Sequence, residues 1–209
     1  MTTSSPSRTW VAAGTLVIVS TLLPLVVHAT ASMNPIAALT VFDALLLAAA
    51  LVLFAFGSPS VVARRPLGTS ALLALAVWNV GAMVLWTVAD PRLIESWGQV
   101  LTVIVDTVWI ALALIATVSI ARAGVVRRPW RLAPLWALLA VVVPQVVVYA
   151  LAVSPTTTDA AVGLAPIAFT LTIAAPLFLG VLAIVLGVTP PRREASAEPI
   201  YSGRADDSV

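Results

Sequence analysis

The chain has 209 residues, of which 61% are hydrophobic and only 10% charged, with a mean hydropathy of +1.08. A soluble domain carries about 25% charged residues, so this balance excludes an ordinary water-soluble fold. The net charge of +2 and the pI near 9.9 do not indicate nucleic-acid binding, because the arginines sit in short polar breaks between apolar blocks, where a membrane protein concentrates them.

Those blocks predict an all-α polytopic membrane protein with six spans, at about 10–29, 35–57, 69–89, 98–120, 133–153 and 163–188. Each is close to the ~20 residues needed to cross a ~30 Å hydrocarbon core. Residues 1–9 form a short polar tail before the first span. That span ends at Ala29-Thr30-Ala31, which fits a signal-peptidase site. Its apolar run, Val11 to Val27, is longer than the ~7–15 residues of a signal peptide, so a retained helix is favoured. Cleavage would leave five spans and an outside N-terminus.

The second span holds LTVFDALLLAAALVLFAFG, with Asp43 inside the apolar run, and the fourth holds Asp106. The breaks TASMNP at 30–35, SPSVVARRPLGT at 58–69, ADPRLIESWG at 89–98 and RAGVVRRPWR at 122–131 carry the Pro, Gly and polar residues of turns. Pro24, Pro144 and Pro176 lie inside spans one, five and six, where each frees the carbonyl four residues earlier. Residues 189–209 mix charge with Pro, Ser and Gly without apolar period, and read as a disordered cytoplasmic tail.

Orientation follows from the arginines. With the N-terminus inside, the inner segments hold Arg8, Arg64, Arg65, Arg122, Arg127, Arg128, Arg131, Arg192, Arg193 and Arg204, and the outer loops hold only Arg92. Arginine excess marks the cytoplasmic side, so both termini are placed in the cytoplasm and the chain in the cell inner membrane. Trp10, Trp86, Trp97, Trp130 and Trp136 fall near span ends, where amphipathic rings favour the interface. Trp78 and Trp109 lie deeper and are expected to fill helix contacts.

The two acids stand at equivalent places, each the ninth residue of its predicted span and entered from the outside. Each of these spans contains twelve Val, Ile, Leu or Phe residues. They supply roughly −4 to −7 kcal/mol of insertion energy against about +2.5 to +3.5 for a central Asp, so insertion does not by itself demand a function for the acid. It does demand an orientation, toward other helices or water rather than lipid. Folding the predicted hairpins places Ser20 and Thr21 near the depth of Asp43, Asn79 near Asp106, and Gln145 near Thr170. Thr21, Asp43, Asn79, Asp106 and Gln145 thus form a candidate intramembrane polar site, with His28 some 10 Å shallower than Asp43. Small residues at helical spacing, Ala44 with Ala48 and Ala183 with Gly187, predict close helix contacts.

A faint repeat accompanies the acids. Asp43 precedes Arg64-Arg65-Pro66 by the same interval as Asp106 precedes Arg127-Arg128-Pro129, and the two copies lie 63 residues apart. Duplicated parallel hairpins would explain this, and so would the frequency of RRP in an arginine-rich chain.

The chain has no cysteine and no lysine, and His28 is its one histidine, which excludes disulfides, thiolate chemistry, Schiff bases and His-rich metal clusters. It contains no phosphate-binding glycine loop and no HExxH. No catalytic residue, metal site or cofactor is expected. The leading expectation is a non-catalytic membrane protein, an accessory subunit, scaffold or complex component. The alternative is a small proton- or cation-coupled transporter using Asp43 and Asp106. The partners expected are the lipid bilayer and other membrane subunits or further copies of the chain, with no nucleic acid.

Overall fold

The computed structural model describes residues 8–30, 37–57, 60, 62, 65–126, 130–153 and 156–189, in backbone only for 27–30, 37, 38, 91 and 93. The predicted tail beyond residue 189 and the guanidinium groups of Arg64, Arg127 and Arg128 lie outside these. The described residues are all-helical, and they contain six helices long and apolar enough to cross a membrane. These are α1 (Arg8–Thr30), α2 (Ala37–Phe56), α3 (Pro66–Val88), α4 (Pro91–Ala123), α5 (Ala133–Ala152) and α6 (Thr158–Val188).

The helices outrun the apolar blocks wherever local chemistry starts them early. α4 begins at Pro91 rather than near 98, because the Asp90 side chain accepts the main-chain N–H of Arg92 at 2.9 Å and the proline fixes the first helical turn. At 33 residues it is about 50 Å long, well beyond the hydrocarbon thickness. α3 likewise starts at Pro66, three residues before the apolar block. α6 starts at Thr158 with Asp159 in its first turn, which brings Pro166 inside the helix together with Pro176.

Successive helices run antiparallel and follow one another in a circuit. α1 packs against α2 and α6, α3 against α2 and α4, and α5 against α6. The join between α4 and α5 is much the thinnest. Arg8, Arg65, Arg122 and Arg131 belong to one end of the bundle and Arg92 to the other.

Packing is densest at the arginine end. Trp10, Ala55, Val62, Ala71, Leu72, Ala116, Ile120 and Val126 form one buried cluster there, drawn from four helices and two connections. Val62 is fully buried although it falls in a break, and it tucks beneath Gly68 and Ser119. Trp10 is buried as well, edge-on to Phe54 with ring centroids 6.4 Å apart. Its ring is thus packed within the bundle rather than presented on the bundle's surface. Trp97, Trp130 and Trp136 are exposed, as an interfacial ring should be.

The α1–α6 contact shows how these helices approach one another in an environment without a hydrophobic drive between them. A Cβ on Gly14 would lie 2.5 Å from the Gly180 carbonyl oxygen, and one on Gly180 would lie 2.9 Å from that of Gly14. Ala183 and Gly187 extend the small-residue stripe on α6, with Gly187 against Trp10 and Val11. Ala44 is buried in α2 as well.

Candidate functional site

The polar layer is organised by two adjacent residues of α3. Asn79 donates its side-chain amide to the Ala44 carbonyl of α2 at 3.3 Å, and the Trp78 indole donates to the Val105 carbonyl of α4 at 3.2 Å. The acceptors are the neighbours of the two acids: Ala44 follows Asp43, and Val105 precedes Asp106. Both acids are therefore held at one depth, on either side of α3. Asn79 was expected at this level. Trp78, which its depth in the sequence marks only for helix packing, also makes a bond, and its place beside the polar Asn79 is the signal for it.

The other members fall at the same level. Gly57 lies against Thr9, and Phe54 against Trp10. Counting back along both helices from these contacts brings Asp43 level with Thr21. On the far side, Ala113 and Trp109 of α4 pack with Leu138 and Val142 of α5, and the same counting brings Asp106 level with Gln145. Gln145 donates to the Thr172 hydroxyl of α6 at 3.3 Å. Thr172 lies two residues beyond Thr170, whose depth the folded hairpin matches to Gln145; both threonine hydroxyls donate to carbonyls four residues earlier, Thr170 to Pro166 and Thr172 to Ala168.

Sharing a depth does not bring the acids into one space. Asp43 precedes Ala50 by seven residues and Phe54 by eleven, so all three lie on one stripe of α2. That stripe meets α1, as the Phe54–Trp10 contact shows. The Oδ1 atom of Asp43 is buried and has no hydrogen-bond partner there. The hydroxyls across from it are committed elsewhere: Ser20 and Thr21 both donate to the Val17 carbonyl, at 3.0 and 2.8 Å. A buried oxygen without a donor disfavours this packing, since the desolvation of the group is not offset.

Asp106 precedes the buried Ala113 by seven residues and the buried Ile120 by fourteen, so it stands on the stripe by which α4 packs. Yet Asp106 is exposed. The reason is the thin α4–α5 join. The two helices meet through Trp109, Ala113, Leu138 and Val142, and beyond that level they part. The α5 stripe that begins at Leu138 and Val142 continues into Val146 and Tyr149, which is 58% exposed, and Val103 beside Asp106 is 60% exposed. The half of the seam away from the arginine end is therefore an uncovered strip with one carboxyl in it.

The five candidate residues are thus at one level, but in different contacts. Thr21 and Asp43 belong to α1–α2, Asn79 to α2–α3, Asp106 to the open α4–α5 seam, and Gln145 to α5–α6. Among the described residues, no three His, Asp or Glu side chains stand close enough together to hold a metal ion. The side chain of His28 lies outside the described residues. No family model, curated protein or solved structure matches the chain.

Proposed function

We propose that the chain is a non-catalytic component of an inner-membrane assembly, threaded six times with both termini in the cytoplasm, and that a further transmembrane segment covers its α4–α5 seam. The observation that carries this reading is the exposed carboxyl of Asp106 on the packing stripe of α4. A central Asp raises the insertion energy by about 2.5–3.5 kcal/mol, and acids within spans face other protein or water rather than lipid. An acid left uncovered by its own bundle, between apolar neighbours such as Val103 and Val146 that are also uncovered, is the arrangement of a subunit surface. The arginine distribution supports the orientation.

Proton- or cation-coupled transport is the second reading, favoured by the common depth of Asp43 and Asp106. It has the weaker support, because the two carboxyls open onto different helix contacts.

One experiment separates the two. The protein is extracted into nanodiscs with its native lipid, its mass is measured, and proton flux is followed in proteoliposomes. As a subunit, the chain shares its disc with further protein, so that the protein mass after subtraction of belt and lipid exceeds its own 21.7 kDa. Val103→Trp, which obstructs the seam from an exposed position, returns it to a single chain with its unfolding temperature retained. A single-chain particle from the start, with a proton flux abolished by Asp106→Asn, overturns the subunit reading in favour of transport. Reporter fusions at the Arg127 connection test the orientation independently, and an outside position there would reverse it.

A further inference from the structure

The α4–α5 seam has a second feature, at its arginine end, that neither the polar layer nor the subunit reading uses. Val118, Ala121 and Arg122 of α4 face Arg131, Leu132 and Leu135 across a cavity of about 400 Å³. The space is a groove open on one side rather than an enclosed pocket. Its surface is almost wholly apolar, with Arg122 and Arg131 among the residues that line it, and among the described residues no acid does.

The two arginines differ in how they are held. Arg131 is part-buried, and its Nε donates to the Ala121 carbonyl, which anchors the side chain across the last turn of α4. Arg122 projects from that same turn and is exposed. One positioned and one adjustable guanidinium on a shared cavity suit a phosphodiester, whose two free oxygens can each accept from a planar donor fork. Trp130 stands beside them, 43% exposed, with its ring 6.4 Å from that of Phe178. An exposed Trp next to span-end arginines marks the headgroup level of a bilayer.

We infer that this cavity binds the phosphate headgroup of an anionic phospholipid, with the lipid's acyl chains lying along the apolar wall made by Val118 and Leu135. Two features favour lipid over free phosphate. Polar atoms make up little of the lining, and the rest is hydrocarbon that a bare phosphate would leave unfilled. The cavity also lies on the α4–α5 join, which is the thinnest in the bundle, so a chain entering between these helices displaces little protein contact. A basic pocket between spans is a recurrent form of headgroup site.

The test uses the full chain in a neutral detergent, titrated with phosphatidylglycerol, with phosphatidylcholine, and with inorganic phosphate. Unfolding temperature and bound lipid, the latter counted by native mass spectrometry, are the readouts. Phosphatidylglycerol is expected to raise the unfolding temperature and to remain bound, while phosphatidylcholine and inorganic phosphate do neither. Arg122→Gln is expected to weaken phosphatidylglycerol roughly fivefold, the effect of one arginine near an anionic lipid surface. Arg122 is chosen because Arg131 also braces α4, so that its loss could act through folding. Leu135→Trp, which fills the cavity and leaves both charges, is expected to abolish the bound lipid. An undiminished phosphatidylglycerol response in both variants overturns the inference. So does inorganic phosphate reproducing the response, which would make the site one for the free anion.

Discussion

Asn79 binds the main chain of α2 at Ala44, one residue beyond Asp43. An asparagine amide inside a membrane has few alternatives to an internal acceptor, and bonds of this kind contribute about 0.6 kcal/mol on average and up to ~2. Asn79→Leu is expected to destabilise the bundle within that range, measured by reversible unfolding in detergent. Trp78→Phe, which keeps a ring and removes the N–H that reaches Val105, should cost a similar amount. If neither moves the unfolding midpoint, the two bonds do not tie α3 to its neighbours.

Asp43 should behave in the opposite sense. Its Oδ1 is buried without a donor, and leaving such a group unsatisfied costs about 1–3 kcal/mol. Asp43→Leu replaces the group by a larger apolar one at a position only partly buried, so stability should rise by ~1 kcal/mol or more, with Asp43→Asn showing less gain. A loss of stability in Asp43→Leu would mean that the carboxyl has a partner in the membrane that compensates its burial.

The α1–α6 contact rests on missing side chains. Gly180→Val places atoms where the Gly14 carbonyl and Ile18 already lie, at 2.9 and 2.7 Å from a Cβ. Overpacking of this kind costs about 1–3 kcal/mol, and since no hydrophobic drive holds the helices together, the pair should separate rather than adjust. Gly81→Ala and Gly163→Ala are the controls. Nothing lies within 4 Å of a Cβ at either, so each should gain up to ~1 kcal/mol from helix propensity. Circular dichroism through an SDS titration reads all three.

The six spans were legible because an apolar block long enough to cross a bilayer has one stable form there, a helix with its backbone bonds satisfied internally. Their ends were legible only where the apolar block and the helix stop together, as at Ala133 and Val188. Asp90 and Pro91 start α4 by capping, in a stretch too polar to be counted as span. Depth was legible too, since rise per residue is fixed, and Asp43, Asn79, Asp106 and Gln145 do share a level. Rotation about the helix axis was not. Whether Asp106 is covered depends on how α4 and α5 diverge, which no local pattern encodes. The same is true of Trp10, whose place near a span end suggests an interfacial ring, while the glycine at 187 makes room to bury it. Gly14 and Gly180 stand inside apolar spans, where a glycine is itself a signal of close approach.

The connection from α4 to α5 turns on one backbone angle. Gly124 follows the last residue of α4 with φ at 70°, a left-handed conformation that closes the helix. A Cβ there would meet nothing within 4 Å, so a substitution acts on the backbone alone. For a residue with a side chain this conformation costs about 1–2 kcal/mol, with asparagine the most tolerant. Gly124→Ala should therefore destabilise the end of α4 by roughly that amount and Gly124→Asn by clearly less. Limited proteolysis of the 124–132 connection should show Gly124→Ala cut sooner than the native chain. The Arg131 bond to the Ala121 carbonyl braces this same turn from across the connection. Arg131→Gln should therefore sensitise the connection to cleavage even with Gly124 intact, and the two substitutions together should exceed the sum of their separate effects, because each removes what still restrains the turn when the other is lost. Strict additivity would mean that the two restraints hold separate parts of the connection.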